Sequence, residues 1–394
     1  MKNIISVLML IYFCFSSLPI YAQTLSNYSV RKVMLAHELH QEDKLVDAIA
    51  VLQEYQATDE YDKAYINRML AGFYWQNGDT KNTILRLTLA VDSQELPVES
   101  QRETLTMLAE VLIANSEYSR SEQRYYQLLP LIKDNNKTLE LTWLRIAQTQ
   151  YQQRKWSLVE TSIEKQQYFQ KITNIKPQVM PLNMLLGAQL AQEKWKSAIK
   201  TADSLRELEP KNVVWWQQLI SLYMQNTDHS NALITLQQAD RAELELSNDQ
   251  LTLMAQLYAQ SGVPYQAANT YLRLKNIEMD PDLMAQQAIY WQRAKEWQRA
   301  LKQWDRAAQI KPAYYREYAL LAVQRRELEN ALIAIDNVPE QDAALLLIKA
   351  QILNEMGNIE HALNTVIMAH QLAPSDKTET WVRFLTQAKK AKTM

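Results

Sequence analysis

The sequence predicts an all-α protein: a right-handed α–α superhelix of about ten stacked helix–turn–helix repeats, closed by a C-terminal capping helix. Three observations predict it. Only five of the 394 residues are Gly, where average usage would give roughly 28. Apolar residues recur at helical spacing in paired runs. Pro and Gly fall at the boundaries of a single period. Scarce Gly implies little use of left-handed backbone, which argues against a turn-rich β fold, a glycine-rich nucleotide cradle and a flexible Gly/Ser linker. Ala, Leu, Gln, Glu, Lys and Arg, the strong helix formers, fill almost every window. Hydrophobic residues at 47% and charged residues at 22% are the balance of a folded chain, and a repeat array extends its core by stacking as the chain lengthens. Lys plus Arg number 42 against 44 Asp plus Glu, so the molecule has no bulk attraction for nucleic acid.

The first 22 residues have the character of a secretory signal peptide. Lys2 supplies a positive start, Ile4 to Phe15 is an almost unbroken apolar run, and Ser16 to Ala22 leads to cleavage after Ala22. The apolar run is short of the about 20 residues that span a bilayer; retention as an anchor is the alternative. Cleavage removes Cys14, the single cysteine. A thiol-free chain suits an oxidising compartment, and the periplasm is the expected destination, with no stable membrane insertion after cleavage. Residues 23–394 then form the solenoid.

The register is clearest from Trp216 to Ala239. Trp216, Leu219, Ile220 and Tyr223 have the spacing of a first helix, and Ala232, Leu236 and Ala239 that of a second. This resembles the tetratricopeptide pattern, a helix pair repeated about every 34 residues. Working outward places ten repeats starting near residues 29, 64, 102, 140, 179, 213, 248, 281, 312 and 343. Small Ala at facing positions lets paired helices approach closely, as with Ala36 and Ala48. The repeats at 102 and 140 are weakest, because Ser121 and Val159 stand where the second packing Ala is expected. Extra residues near Pro97 and at Lys176-Pro177-Gln178 lengthen two inter-repeat turns. Gly78, Gly262 and Gly357 suit the left-handed turn position. Pro210, Pro281, Pro312 and Pro374 mark repeat boundaries. Trp156, Trp195 and Trp297 share one place after the turn and read as packing residues, as do Trp215, Trp216, Trp291 and Trp304. The last helix, 377–392, covers the terminal apolar edge with Thr380 to Ala388 and turns Arg383, Lys389, Lys390 and Lys392 to water.

Chemistry-bearing motifs are few. His37 and His40 could share a helical face, but zinc needs a third protein ligand and none is suitably spaced. His229 and His361 fall in or beside turns. No phosphate loop, nucleophile elbow or His-Glu-x-x-His motif occurs, so the expectation is no enzyme, no catalytic residue, no metal and no cofactor. The binding candidates are the groove-facing positions of the first helices. The thirteenth place in each repeat is Gln41, Gln76, Gln152, Gln225, Gln260 and Gln324 in six cases, and Ala114, Ala191, Arg293 and Glu355 in the others. Arg68, Trp75, Gln148, Tyr151, Gln256, Gln292 and Arg316 adjoin them. A Gln amide both donates and accepts, so a ladder of them can satisfy the backbone of an extended peptide segment. Because Gln is also a good surface helix former, solubility alone would account for the same ladder. Arg293, Arg316, Arg325 and Arg326 make the C-terminal part more basic, a match for an acidic segment.

Several stretches carry a narrower resemblance: Tyr61-Asp62-Lys63-Ala64-Tyr65, Phe73-Tyr74-Trp75-Gln76-Asn77-Gly78, Leu144-Arg145-Ile146-Ala147-Gln148 and Asn212 to Leu219. They resemble exported tetratricopeptide proteins associated with TonB/ExbB/ExbD energy-transduction systems of gamma-proteobacteria. That resemblance implies a periplasmic, non-enzymatic interaction scaffold, an accessory of TonB-dependent uptake of iron chelates or similar nutrients, with TonB/ExbB/ExbD-type components as partners. The alternative is a generic periplasmic adaptor in envelope assembly, polysaccharide export or pilus biogenesis.

Overall fold

The computed structural model describes residues 25–393; the expected signal peptide and its cleavage point lie outside them. Among the described residues the chain forms ten antiparallel helix pairs and one further helix. The pairs divide between two compact units, one ending at Pro210 and the other beginning at Lys211.

In the first unit the pairs are α1 Asn27–Gln41 with α2 Leu45–Gln53, α3 Glu60–Gln76 with α4 Thr80–Asp92, and α5 Val98–Ala114 with α6 Tyr118–Leu128. They continue with α7 Asn136–Gln152 and α8 Trp156–Ile172, then α9 Val179–Ala191 and α10 Trp195–Leu208. The second unit holds α11 Val213–Gln225 with α12 His229–Arg241, α13 Asn248–Gln260 with α14 Pro264–Tyr271, and α15 Pro281–Arg293 with α16 Trp297–Ile310. It ends with α17 Tyr315–Gln324 and α18 Leu328–Asp336, α19 Ala343–Glu355 and α20 Ile359–Leu372, and the closing helix α21 Asp376–Thr393. This is a tetratricopeptide-type solenoid architecture, as the sequence predicts. Short polar side chains start the helices by accepting from the first-turn amides: Asp59 from Asp62, Asp228 from Asn231, Asp342 from Leu345, and Ser247 in a full capping box with Gln250.

The turn from each first helix to its second follows one rule. A single residue there takes positive φ: Asp43, Gly78, Ser116, Arg154, Glu193, Thr227, Gly262, Lys295, Arg326 and Gly357. The N–H of the residue after it bonds the carbonyl five positions back, as in Asp79 to Tyr74, Lys194 to Gln189 and Asn358 to Leu353. That is the Schellman closure of a helix C-terminus. The expectation that a Gly-poor chain has little use for left-handed backbone is therefore overturned. A reversal this tight requires the conformation whatever the residue, and seven of these turns place a side chain there. Outside glycine the left-handed region costs roughly 1–2 kcal/mol per residue, which the two capping bonds and the packing of the pair outweigh.

Each unit builds its core between paired helices. In the first unit Leu87, Leu108, Leu112, Tyr125 and Leu128 are almost fully buried in one cluster that runs from Ala71 of α3 to Ile146 of α7. In the second, Trp216, Leu236, Tyr271, Trp291, Trp304 and Ile335 belong to a continuous cluster. Ala36, Ala48, Ala147, Ala232, Ala255, Ala300 and Ala350 have no exposed surface, as close approach of paired helices requires. The two sequence-weak repeats are closed differently. Ser121 donates to the Ala109 carbonyl at 2.8 Å, tying α6 to α5 from inside, and Val159 is fully buried. Gly187 serves close packing, since a Cβ there would stand 2.6 Å from the Tyr151 hydroxyl. Helix α21 lays Leu385, fully buried, with Trp381 and Val382 over Leu347, Ala350, Ala362 and Val366. No helix among the described residues is long and apolar enough to cross a membrane.

Candidate partner-binding surface

The thirteenth place of every repeat is the last residue of a first helix, immediately before the turn. Gln41, Gln76, Gln152, Gln225, Gln260 and Gln324 all stand exposed there. Beside them Trp75 is 38% exposed, and Gln256 is exposed one helical turn before Gln260. His40, one residue before Gln41, stacks on Phe73 with ring centroids 5.0 Å apart and reaches Gln76 Oε1 at 2.5 Å. This contact joins α1 to α3 and commits one imidazole of the His37–His40 pair to packing. Among the described residues no group of three or more His, Cys, Asp or Glu could hold a metal ion.

Other candidate positions are occupied inside the protein. Gln292 Oε1 accepts from the Trp304 indole N–H at 2.8 Å, so its amide joins α15 to α16. Tyr151 is half-buried on Gly187 and meets Trp156 edge-on, centroids 5.2 Å apart. Gln148 accepts from Arg145 at 3.0 Å, and Arg68 pairs with Glu103 at 2.5 Å. The C-terminal arginines are largely offset: Arg316 pairs with Asp342 at 2.9 Å, Arg326 with Glu355, and Arg325 lies over the Trp297 ring. Arg293 is exposed at the end of α15. What stands exposed is thus a set of helix-end amides with Trp75, of which Gln76 and Gln41 bond His40 and His37, while most of the C-terminal arginines are paired.

Sequence patterning missed a buried polar network between α6, α7 and α8. Glu122 is 6% exposed and accepts from Gln150 at 2.9 Å, Gln153 at 3.0 Å and Lys155 at 2.7 Å. Ser162 donates to Gln150 Oε1 at 2.7 Å, completing that amide's pairing. Burial opposes ionisation of Glu122, but the Lys155, Gln150 and Gln153 donors outweigh it and hold the carboxyl below its usual range. The same inward amide recurs one repeat later, where Thr201 donates to Gln189 at 2.8 Å. These groups fix helix register. Their sequence signal was faint, since buried and exposed Gln share one helical propensity.

No protein-family model matches the chain, and no curated protein does. Among solved structures it is similar to a tetratricopeptide repeat protein from Parabacteroides merdae, at 12% identity over 66% of this chain and 98% of that one, with a TM-score of 0.35. A tetratricopeptide repeat-containing protein from Cytophaga hutchinsonii is 14% identical over 71% of this chain and 95% of its C-terminal part, TM-score 0.36. MamA from Desulfovibrio magneticus is 15% identical over 46% and 96%, TM-score 0.34. At these scores the similarities carry no functional conclusion.

Proposed function

We propose that this chain is an exported, non-enzymatic scaffold that holds a partner protein along the exposed ends of its first helices, as an accessory of a TonB-dependent transport system. The observation that carries the scaffold reading is the recurrence of an exposed Gln at the last residue of six first helices. An amide at fixed helical register pairs with peptide N–H and C=O groups alike and demands no charge, so the consecutive repeats that carry Gln41 and Gln76, or Gln225 and Gln260, can follow an extended segment within one unit. The TonB assignment, with the periplasm as compartment, is supported by the resemblance of the Tyr61–Gly78 and Asn212–Leu219 stretches, and export with Gln23 as the mature N-terminus by the signal-peptide pattern of residues 1–22.

Crosslinking in intact cells under iron limitation, followed by identification of the captured proteins, tests the assignment. TonB, ExbB or ExbD-type components are expected, and recovery of none of them would sink it. Recovery of polysaccharide-export or pilus components instead would move the scaffold to envelope assembly. Within the first outcome, Gln225→Glu with Gln260→Glu should lower partner recovery severalfold while leaving the unfolding midpoint in place. Unchanged recovery would remove the amide row from the interface.

A further inference from the structure

The first unit contains a cavity of about 510 Å³ between α8, α9, α10 and the turn that joins α8 to α9. That volume lies within the roughly 300–1,000 Å³ typical of ligand sites. That turn, 173–178, has six residues, as many as the turns at 54–59, 242–247 and 337–342, so the extra residues expected to lengthen it and the turn at Pro97 instead lengthen the helices: α5, α7 and α8 have 17 residues each. One wall is amide: Gln166, Gln167, Gln170, Asn174 and Gln178. The other is apolar, from Ile175, Pro177, Pro181, Leu182 and Leu208. Lys171 and Glu207 complete the lining with opposite charges, so the cavity has no net charge.

Gln166 is an amide at an otherwise apolar place, and only one side of it has a partner inside the protein. In six of the nine other pairs its register position is taken by Ala90, Leu128, Leu205, Ala239, Ala307 and Ala369, all buried. Gln166 is itself fully buried, and its Nε2 donates to the buried carboxylate of Glu140. A carboxylate accepts only, which determines which way the amide points. Its Oε1 is left buried with no partner. An unpaired buried acceptor costs about 1–3 kcal/mol, a cost that the bond to Glu140 does not remove from the Oε1 side of the amide.

We propose that this cavity binds a short, uncharged, extended peptide segment. Its branched apolar side chain fills the Pro181–Leu182–Leu208 wall, a backbone N–H is donated to Gln166 Oε1 at the base, and further backbone groups pair with Gln167 and Gln178. The alternation of donor and acceptor along a peptide backbone matches an amide wall, and the absence of net charge excludes a strongly acidic or basic segment. The site lies outside the row of helix-end glutamines and does not depend on their role.

The test uses fluorescence anisotropy with the mature chain and capped, labelled octapeptides carrying a central Leu, Ile or Val, compared with the same peptides centred on Asp or Lys. Ser204 is an exposed residue of α10 lining the cavity, and its hydroxyl bonds only back to the Lys200 carbonyl. Ser204→Trp should plug the cavity and weaken the apolar-centred peptides at least tenfold, with the unfolding midpoint retained. Val46→Trp, at an exposed site on α2, should leave binding unchanged. Absence of binding by every peptide, equal binding by Ser204→Trp, preference for a charged centre, or equal affinity for free leucinamide would each overturn the proposal.

Discussion

Glu122 shows how a single buried carboxylate can organise three helices. It sits on α6 and collects donors from Gln150 on α7 and from Gln153 and Lys155 in the turn that follows. Replacing it by Gln puts an amide N–H against donors that need an acceptor, and an unsatisfied buried group costs about 1–3 kcal/mol. Glu122→Gln should therefore lower urea stability by that order at neutral pH. The folded-state pKa is depressed below the usual glutamate value of 4.5, so the unfolded chain binds the proton first. The stabilisation is then fully present above that value and is lost as pH falls through the lower folded pKa. The gap between wild type and Glu122→Gln should close over the same acidic window. A gap that stays constant down to pH 3 would show that the charge contributes nothing. Gln166 and Gln292 belong at this scale too, and neither role was legible in sequence. One lines a cavity bounded by a neighbouring turn, and the other is drawn inward by an indole on the next helix.

At the scale of elements, the left-handed residue of each turn is the recurring device. Gly262 has open space where a Cβ would stand, so Gly262→Ala tests backbone conformation alone, at φ +78°. It should destabilise by about 1 kcal/mol. The reverse change, Glu193→Gly at φ +56°, should stabilise by about 0.5–1 kcal/mol, since relief of strain exceeds the added chain entropy. Urea titrations followed by far-UV circular dichroism measure both; the same sign for the two variants would refute the account. These turns also explain how much of the helix pairing could be read beforehand. Three glycines announce the turn, but Arg154, Glu193 and Lys295 occupy the same conformation with no glycine to announce it, because hydrogen-bond closure imposes it on whichever residue stands there.

For the whole molecule, stacking leaves an apolar face at the end of the last pair, and α21 covers it with Leu385, Trp381 and Val382. A solenoid without such a cap presents a surface onto which another copy can stack. Deleting residues 376–394 should expose Leu347 and Val366, and light scattering should then detect concentration-dependent self-association; a monomer at all concentrations would deny the helix a capping role. What the sequence by itself determined was the helical class and its periodicity, because burying one face of each helix demands apolar residues at helical spacing. The exposed amides at the ends of six first helices were legible for the same reason. The tertiary structure alone decided which amides face solvent and which turn inward, how the arginines are paired, and that a cavity is lined by Gln166, whose Oε1 has no partner. Those outcomes depend on contacts between residues a full repeat apart, and a periodic pattern gives every repeat the same reading while its neighbours differ.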